Sequence, residues 1–178
     1  CKTNDSLCTT LVNLLHTLSQ DNSWRTRLAV LEQIATLSEL FGREFFESKL
    51  ESLLLSCFGD SVHAIRAAVT DEIEKIVKLF GKEWTVNHFT AKVLSLYSDS
   101  NSYSSRIAIL QSLPKLARVM SPEDIETLIV PTVEKGCKDP VPNVRFVACE
   151  VVEEMKGKLD LDKLNLKSIS SEDVDRDV

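Results

Sequence analysis

The stretch DPVPNVRFVACEV, residues 139–151, combines a turn with the beginning of an apolar helix. Asp139 and two prolines precede the apolar residues, and Arg145 follows Asp139 by six positions. Prolines are tolerated beside a helix start, because the N–H groups of the first turn have no partner within the helix. The stretch therefore predicts a turn that leads into a helix, with a charged residue on each side of the junction.

The same arrangement of an aspartate and a following arginine occurs four times in the chain. The copies are DNSWRTR at 21–27, DSVHAIR at 60–66, DSNSYSSR at 99–106 and DPVPNVR at 139–145. The third copy is one residue longer, so that Asp99 precedes Arg106 by seven positions. Successive arginines are 39 or 40 residues apart, and a second marker, Leu-Phe-Gly at 40–42 and 79–81, has the same period. Two markers in phase indicate a repeat array.

Apolar residues recur at helical spacing in every segment between these markers. In 24–41, for example, they are Leu28, Leu31, Ile34, Ala35 and Leu37. No stretch shows the sustained period-two alternation of a strand. We therefore predict an all-α fold of eight helices in four antiparallel pairs, at about 5–41, 43–80, 83–120 and 122–157, within an array over residues 1–157. Stacked pairs of this kind form a right-handed α-solenoid.

Two prolines, Pro114 and Pro131, lie inside segments that otherwise have helical spacing. A proline within a helix removes one N–H donor, and its ring clashes with the preceding turn of the backbone. We therefore expect a kink or a shifted helix boundary at each of these two positions.

The repeated charges predict a structural ladder. Each aspartate lies in the turn between the two helices of a pair, where its carboxylate can cap the N–H groups of the second helix. Each arginine lies in the first or second turn of that helix and can reach the aspartate of its own or a neighbouring repeat, in bidentate fashion. The predicted ladder consists of Asp21, Arg27, Asp60, Arg66, Asp99, Arg106, Asp139 and Arg145.

The turns within the pairs are also the candidate binding edge, since stacking aligns them along one side of the array. Tryptophan, tyrosine and arginine are enriched among residues that dominate protein–protein binding energy. The candidate partner-binding residues at nearly equivalent positions of the four turns are Trp24, Arg25, His63, Tyr103 and Asn143. The alternative for Trp24 is that it packs over its turn as a cap. Trp84, which follows Gly-Lys-Glu at a helix start, is expected to pack between repeats.

Composition excludes several classes of function. The formal net charge is −6, from 21 basic and 27 acidic residues, which argues against nucleic acid as a partner. The sequence has no metal-ligand spacing, phosphate-binding loop or nucleophile motif, so we expect no catalytic residue, metal or cofactor. It also has no run of 18 apolar residues, so no membrane partner is expected.

The cysteines and the two ends of the sequence add further expectations. The five cysteines are odd in number and form no CxxC pair, which favours a reducing compartment, cytoplasmic or also nuclear. Cys57 and Cys149 lie in apolar helical surroundings, where a free thiol behaves as a small hydrophobic side chain. The start at Cys1, without a methionine, suggests a piece of a longer array. Residues 158–178 are acidic and serine-rich, and we predict a partly disordered tail.

The D-x5-R turns, the 39-residue period and the proline inside a helix together resemble HEAT repeats. More narrowly, NSWRTRLAVLEQIATLSELFGREFF, FGKEW and VPTVEKGCKDPVPNVRF resemble the C-terminal repeats of the scaffolding A subunits of protein phosphatase 2A. Regulatory subunits of protein phosphatase 4 share these strings in weaker form. The resemblance covers roughly residues 22–156 and implies a non-catalytic scaffold or regulatory subunit of a protein serine/threonine phosphatase.

The resemblance also implies which partners and residues are involved. In that family the ridge of intra-pair turns holds the phosphatase catalytic subunit, and a further regulatory subunit can join the complex. Trp24 and Arg25 match the Trp-Arg pair of the family, and Tyr103 matches a family tyrosine. His63 departs from the pattern, since the family usually has tyrosine there. The alternative is a generic HEAT-repeat adaptor, in transport or trafficking, that binds another protein.

Overall fold

The structure, a computed structural model, describes residues 2–158, with side chains from residue 9 onward. Cys1 and most of the predicted acidic tail, residues 159–178, lie outside the described residues. Every regular element between residues 2 and 158 is helical, and this part of the chain contains no strand. The predicted all-α class is confirmed.

The helices follow the predicted repeat. They are α1 (Lys2–Ser19), α2 (Trp24–Leu31), α3 (Ile34–Phe41), α4 (43–56), α5 (63–80), α6 (82–99), α7 (Tyr103–Ala117), α8 (122–137) and α9 (Pro142–Met155). Short turns at 20–23, 57–62, 100–102 and 138–141 connect the two helical segments of each predicted pair. The charged D-x5-R markers therefore lie at one kind of turn, and the Leu-Phe-Gly markers lie at the other.

Glycine is required at both Leu-Phe-Gly turns. Gly42 separates α3 from α4 at φ 83°, and Gly81 separates α5 from α6 at φ 78°. This left-handed backbone is available to glycine because it lacks a Cβ. The third turn of this kind uses Ser121 instead, whose side chain accepts the N–H of Asp124 while the Asp124 carboxylate accepts the N–H of Ser121. This capping box begins α8 at the position where the other two turns have a glycine.

The chain divides into two compact units between Ile76 and Val77. In the first unit α1 packs against α2, and α3 packs against the start of α4. In the second unit α6 packs against α7, α8 packs against α9, and α7 also packs against α9. Large side chains that are almost completely buried form the core; in the first unit they include Phe46, Phe58, Ile65 and Ile73, and in the second Phe89, Ile109, Leu110 and Val144.

The predicted continuous helix over 24–41 is interrupted at residues 32–33. Beyond the interruption the N–H of Ala35 donates to the carboxylate of Glu72 on α5, at 3.2 Å. Glu72 is 1 % exposed and also binds Lys75. A carboxylate at the N-terminus of a helix satisfies an unpaired N–H and complements the helix dipole. A neighbouring helix therefore caps α3, which replaces the hydrogen bond that the interruption removes.

The two internal prolines fall at specific points of the repeat. Pro114 follows Arg106 by eight positions, as Ala35 follows Arg27, so it stands where the first repeat has an N–H that bonds outside its own helix. The missing donor of Pro114 is therefore tolerated at this register, and α7 continues through it to Ala117.

Pro131 follows a five-residue π-helical turn, Ile125–Ile129, inside α8. A π turn pairs each carbonyl with the N–H five residues later, so the hydrogen-bond register shifts just before the proline. Equivalent π turns occur in α4 at Phe46–Leu50 and in α6 at Thr85–Phe89. The shift in hydrogen-bond register is therefore a feature of the repeat, and in α8 Pro131 lies directly after it.

Candidate protein-interaction surface

An arginine of one repeat binds the aspartate of the next repeat in the first unit. Arg27 Nε donates to Asp60 Oδ2 at 2.8 Å, and Arg27 Nη2 donates to Asp60 Oδ1 at 2.9 Å. Arg27 Nη1 also donates to the backbone carbonyl of Asp21 at 2.7 Å. The two charged side chains are only 15 % and 13 % exposed. The sequence left open whether the arginine binds the aspartate of its own repeat or of a neighbour. The Arg27 side chain binds the carboxylate of the neighbouring Asp60, and in its own turn it binds the backbone carbonyl of Asp21.

The second unit repeats this geometry. Arg106 Nε and Nη2 donate to the two oxygens of Asp139, at 2.8 and 3.0 Å, and Arg106 Nη1 donates to the carbonyl of Ser100 at 3.2 Å. The hydroxyl of buried Tyr97 donates to Asp139 Oδ2 at 3.2 Å. We call these two pairs, Arg27–Asp60 and Arg106–Asp139, the rungs. Each rung is a bidentate, charge-assisted contact that fixes two consecutive turns to each other.

The rungs change the acid–base properties of the aspartates. The Arg27 guanidinium that binds Asp60 lowers the pKa of that carboxyl below its ordinary value. Burial raises the pKa of Asp139, but the hydrogen bond and charge of Arg106 outweigh that effect, and the net shift is downward. Burial, together with the adjacent Asp139 carboxylate, raises the pKa of Tyr97. Both aspartates are therefore stabilised as anions in the folded chain.

The aspartates also shape the turns, although differently from the expected cap. Each accepts an N–H from the residue two positions later, immediately before the helix: Ser23 for Asp21, Val62 for Asp60 and Val141 for Asp139, at 2.7–2.9 Å. This local bond forms an Asx-turn, which fixes the approach to the helix but leaves the N–H groups of its first turn unbound by these carboxylates.

The third turn does not use Asp99. Ser100 Oγ accepts the N–H of Ser102 at 3.3 Å, and Ser100 supplies the carbonyl that Arg106 binds. Asp99 is instead the exposed last residue of α6. The extra residue of this copy therefore belongs to the end of α6, and Ser100 keeps the six-residue spacing to Arg106.

The remaining ladder arginines bind their own turns. Arg66 Nη1 donates to the carbonyl of Asp60 at 2.7 Å, and Arg145 Nη1 donates to the carbonyl of Asp139 at 3.1 Å. These contacts match those that Arg27 and Arg106 make with the carbonyls of their turns. All four arginines therefore hold the turn that precedes their helix.

Three of the candidate binding residues occupy one register. Trp24, His63 and Tyr103 are the first residues of α2, α5 and α7, each three positions before a ladder arginine. His63 is exposed, Tyr103 is 52 % exposed, and Trp24 is half-buried. The guanidinium carbon of exposed Arg25 lies 4.7 Å from the centre of the Trp24 ring, which is cation–π geometry. We call these four residues the turn ridge.

Asn143 is not equivalent to Trp24. It is exposed, but it is the second residue of α9 and shares the register of Arg25, while Pro142 stands in the register of Trp24. Trp84 provides the contrast that the sequence predicted. It is 5 % exposed and stacks on Phe89, with ring centres 5.0 Å apart. One tryptophan is therefore a core residue, and the other is partly open to solvent.

Sequence reasoning missed several exposed apolar side chains. Phe146 on α9 is 47 % exposed although it lies in an apolar run, one position after a ladder arginine. Residues in that register in the other repeats, such as Leu28 and Ile107, are half-buried. Leu40 and Leu79, which precede the two Phe-Gly turns, are 72 % and 41 % exposed. The sequence carried no signal for these positions, because the residues in the same registers of the other repeats are apolar as well.

Within the part of the chain that the structure describes, no three histidine, cysteine or acidic side chains come together in a way that could hold a metal ion. None of the helices in that part is long and apolar enough to cross a membrane.

Comparison with known proteins places the chain in a helical-repeat family. Residues 43–174, more than half of the chain, match a family model described as PIK3R4-like, middle domain. The crystal structure of Cex1p is similar with a TM-score of 0.58 and 20 % sequence identity, over 95 % of this chain. The chain spans about a third of the length of Cex1p, since it covers 34 % of that protein, and at this identity the likeness supports the fold alone. No curated protein sequence matches the chain.

Proposed function

We propose that this chain, which belongs to the PIK3R4-like middle-domain family, is a non-catalytic adaptor or scaffold segment that binds a partner protein on its turn ridge. The observation that carries the proposal is the combination of rigid turns with exposed side chains. The rungs fix the backbone of the turns, while His63 and Tyr103 remain open to solvent. The proposed setting is a reducing compartment, the cytoplasm or also the nucleus, because of the cysteine usage.

Rigidity favours binding at such a ridge. Association costs free energy when side chains and loops must be ordered, so a surface that is already ordered loses less on binding. The Arg25 guanidinium already lies over the Trp24 ring in the free chain, and the helix that carries both is tied to the next turn through Arg27. An indole and a guanidinium are also the groups whose truncation costs most at interfaces.

Quantitative affinity capture tests this proposal. The bait is the full chain, compared with its Trp24→Ala and Arg25→Ala variants. Leu40→Ala serves as the matched control, because it removes a large exposed side chain at the opposite end of the α2–α3 segment. The expected result is a defined partner that binds the parent and the Leu40 variant and is lost from both ridge variants. Equal capture by all four proteins would contradict a role for the ridge.

The finer proposal is that the partner is a protein serine/threonine phosphatase catalytic subunit, with or without a further regulatory subunit. Its support is the resemblance of the Trp24–Arg25 turn and of Tyr103 to the phosphatase scaffolds. The departure at His63 makes it testable, because His63→Tyr restores the family residue at an exposed position. Purified catalytic subunit should bind the parent chain, and it should bind His63→Tyr several-fold more tightly. If it binds neither protein, a generic HEAT-repeat adaptor for another protein is the better description.

A further inference from the structure

Helix α9 leaves open a face that the equivalent helix of the preceding repeat buries. Positions in α7 and α9 can be compared by counting from their ladder arginines, Arg106 and Arg145. Four positions after the arginine, α7 has Leu110, which is fully buried, whereas α9 has Cys149, which is exposed. Cys149 is therefore open to solvent although its sequence surroundings are apolar.

The same difference occurs at three further positions, which lie one, eight and eleven residues after the arginine. These positions are buried or half-buried in α7, and they are exposed in α9 or directly after it. The equivalent pairs are Ile107 and Phe146, Pro114 and Glu153, and Ala117 and Lys156. All four positions fall on one side of a helix with 3.6 residues per turn. We call Phe146, Cys149, Glu153 and Lys156 the end face.

The next helix pair covers this side of α7. The side chain of Leu110 packs against Gly136 on α8, since a Cβ placed on Gly136 would lie 3.1 Å from both of its terminal methyl groups. Farther along, Lys115 Nζ lies 3.7 Å from a carboxylate oxygen of Glu154 on α9. The end face is therefore the side of α9 that a following segment of chain would cover in the same way.

The end face has an apolar half and a charged half. Phe146 and Cys149 form the apolar half, and Lys156 binds Glu153 in the charged half. Glu150 flanks the apolar half one helical turn from Phe146, and it is exposed and has no ion-pair partner within the described part of the chain. A segment that fits this surface needs apolar side chains and a positive charge beside them.

The segment that follows α9 carries these groups. Residues 159–169, LDLDKLNLKSI, contain five apolar side chains and two lysines, and they lie outside the described part of the structure. Leu164 and Leu166 stand between the lysines, Lys163 and Lys167. The nine residues after this segment differ, because they carry four acidic side chains and one arginine. The family match continues through residue 174, so it includes the whole segment.

The segment is long enough to reach the end face. Phe146 precedes Lys158 by 12 residues, which is about 18 Å along a helix. Eleven residues of chain span up to about 36 Å. Lys158 Nζ donates to the carbonyls of Ala117 and Arg118 at the end of α7, at 2.8 and 3.3 Å. The point at which the segment leaves α9 is therefore attached to the same compact unit.

We propose that residues 159–169 of this chain fold back over the end face, with their leucines against Phe146 and Cys149 and their lysines beside Glu150. Burial of apolar surface drives the contact, and the charges orient the segment. The last helix pair of a repeat array has a neighbour on one side only, so a segment that covers its other side protects an apolar surface from solvent.

Thiol labelling of Cys149 in the full chain tests this proposal. A covered thiol reacts only when its cover opens. The test variant combines Leu164→Asp with Leu166→Asp, and the control combines Val174→Asp with Val178→Asp, which adds the same charge beyond the segment. Iodoacetamide followed by peptide mass spectrometry measures each cysteine separately. Cys149 should react about tenfold faster in the test variant than in the parent and the control.

Cys57 reports in each protein whether the fold is intact, because its thiol is bound to the carbonyl of Leu53 at 3.4 Å and should react equally slowly throughout. Equal Cys149 rates in the parent and the test variant would overturn the proposal and leave the end face open to a partner protein. Protection of Cys149 that increases with protein concentration would also overturn it, since a second copy of the chain would then be the cover.

A charge reversal decides the matter if the test variant fails to fold. Glu150→Lys should speed the labelling of Cys149 several-fold, because it repels the lysines of the segment. The new lysine also favours the thiolate of Cys149, so a rescue must separate the two effects. Adding Lys163→Glu and Lys167→Glu to the Glu150 variant should slow the labelling again. A rate that stays high in the combined variant would show that the segment does not lie beside Glu150.

Discussion

Two of the four recurring arginines form charged pairs with the aspartate of the next turn. In each rung the arginine places two parallel hydrogen bonds on a carboxylate of the next turn and a third on a backbone carbonyl of its own turn. Pairs this weakly exposed are screened less than surface ion pairs. Removal of one partner leaves a charge that has lost its counter-ion in a mostly buried place, which is more costly than the pair is stabilising.

Asp60→Ala tests the value of a rung. The variant removes both bonds to Arg27 and the local bond to the N–H of Val62, so the free energy of unfolding should fall by about 2 kcal/mol. Ser61→Ala is the matched control, since Ser61 is exposed and only its backbone carbonyl binds Arg66. Urea denaturation of both variants measures the difference. Equal stabilities would mean that the rung contributes nothing beyond its geometry.

The same rung predicts a dependence on pH. The pKa of Asp60 is lower in the folded chain than in the unfolded chain, so the unfolded chain binds more protons in acid. The stability that the carboxylate contributes is complete above its unfolded pKa of about 4 and is lost as the pH falls through the lower folded pKa. Asp60→Asn should therefore flatten the decline in the free energy of unfolding between about pH 5 and pH 2 relative to the parent. A decline as steep as that of the parent would assign the acid sensitivity to other carboxylates.

Spacing in the sequence was sufficient to locate the four arginines and three of the four turn aspartates, Asp21, Asp60 and Asp139. It could not place the fourth, because a single additional residue can belong either to a turn or to the end of the preceding helix. In the structure the additional residue lengthens α6, and Ser100 occupies the turn position that an aspartate has in the other copies.

At the level of helices, the largest departures from the sequence-based expectation concern hydrogen-bond register. Apolar periodicity predicted where helices occur, because burial of one face sets that period. It did not reveal the interruption at 32–33 or the π turns of α4, α6 and α8. A shift of one hydrogen bond leaves most of the apolar stripe intact, so it has almost no signature in the pattern. The buried carboxylate of Glu72 does mark the interruption at 32–33, because a buried charge requires a partner and Glu72 finds one in the N–H of Ala35.

Glu72→Ala tests whether the interruption depends on this cap. Removal of the carboxylate leaves the N–H of Ala35 without its acceptor and Lys75 without its partner, so the free energy of unfolding should fall by about 2 kcal/mol. Asp71→Ala is the control on the same helix, because Asp71 is exposed. Amide exchange should also become faster at Ala35 in the Glu72 variant. Unchanged exchange at Ala35 would show that another acceptor replaces the carboxylate.

For the molecule as a whole, the repeat period carried most of the information. A fixed period of 39 or 40 residues, with two kinds of turn in phase, requires one supersecondary unit to occur several times, and the helical spacing of apolar residues within each unit predicts the all-α class. The period cannot distinguish one helical-repeat family from another, because many helical-repeat proteins share the residues that stabilise their turns. Residues that support the fold recur in most copies, as the four ladder arginines do. Under the proposed function, residues that select a partner are expected to differ between copies, and Trp24, His63 and Tyr103 do differ within one register.

The two units carry separate parts of the turn ridge, which allows a test of whether one partner uses both. Trp24→Ala in the first unit should weaken binding of the captured partner about 30-fold, the effect of about 2 kcal/mol at an interface hot spot. Tyr103→Ala in the second unit should weaken it about tenfold, and the double variant should show the product of the two effects if both side chains contact the same partner. Leu40→Ala and Leu79→Ala provide the matched controls, one exposed leucine in each unit, and should bind as the parent does.

Neither ridge variant should lose more than about 1.5 kcal/mol of stability, whereas Trp84→Ala should lose about 3–5 kcal/mol, because Trp84 is a core residue. If Trp24→Ala is as destabilising as Trp84→Ala and its folded fraction binds normally, Trp24 is a packing residue. The partner surface would then lie on exposed side chains elsewhere, among which Phe146 is the first to replace.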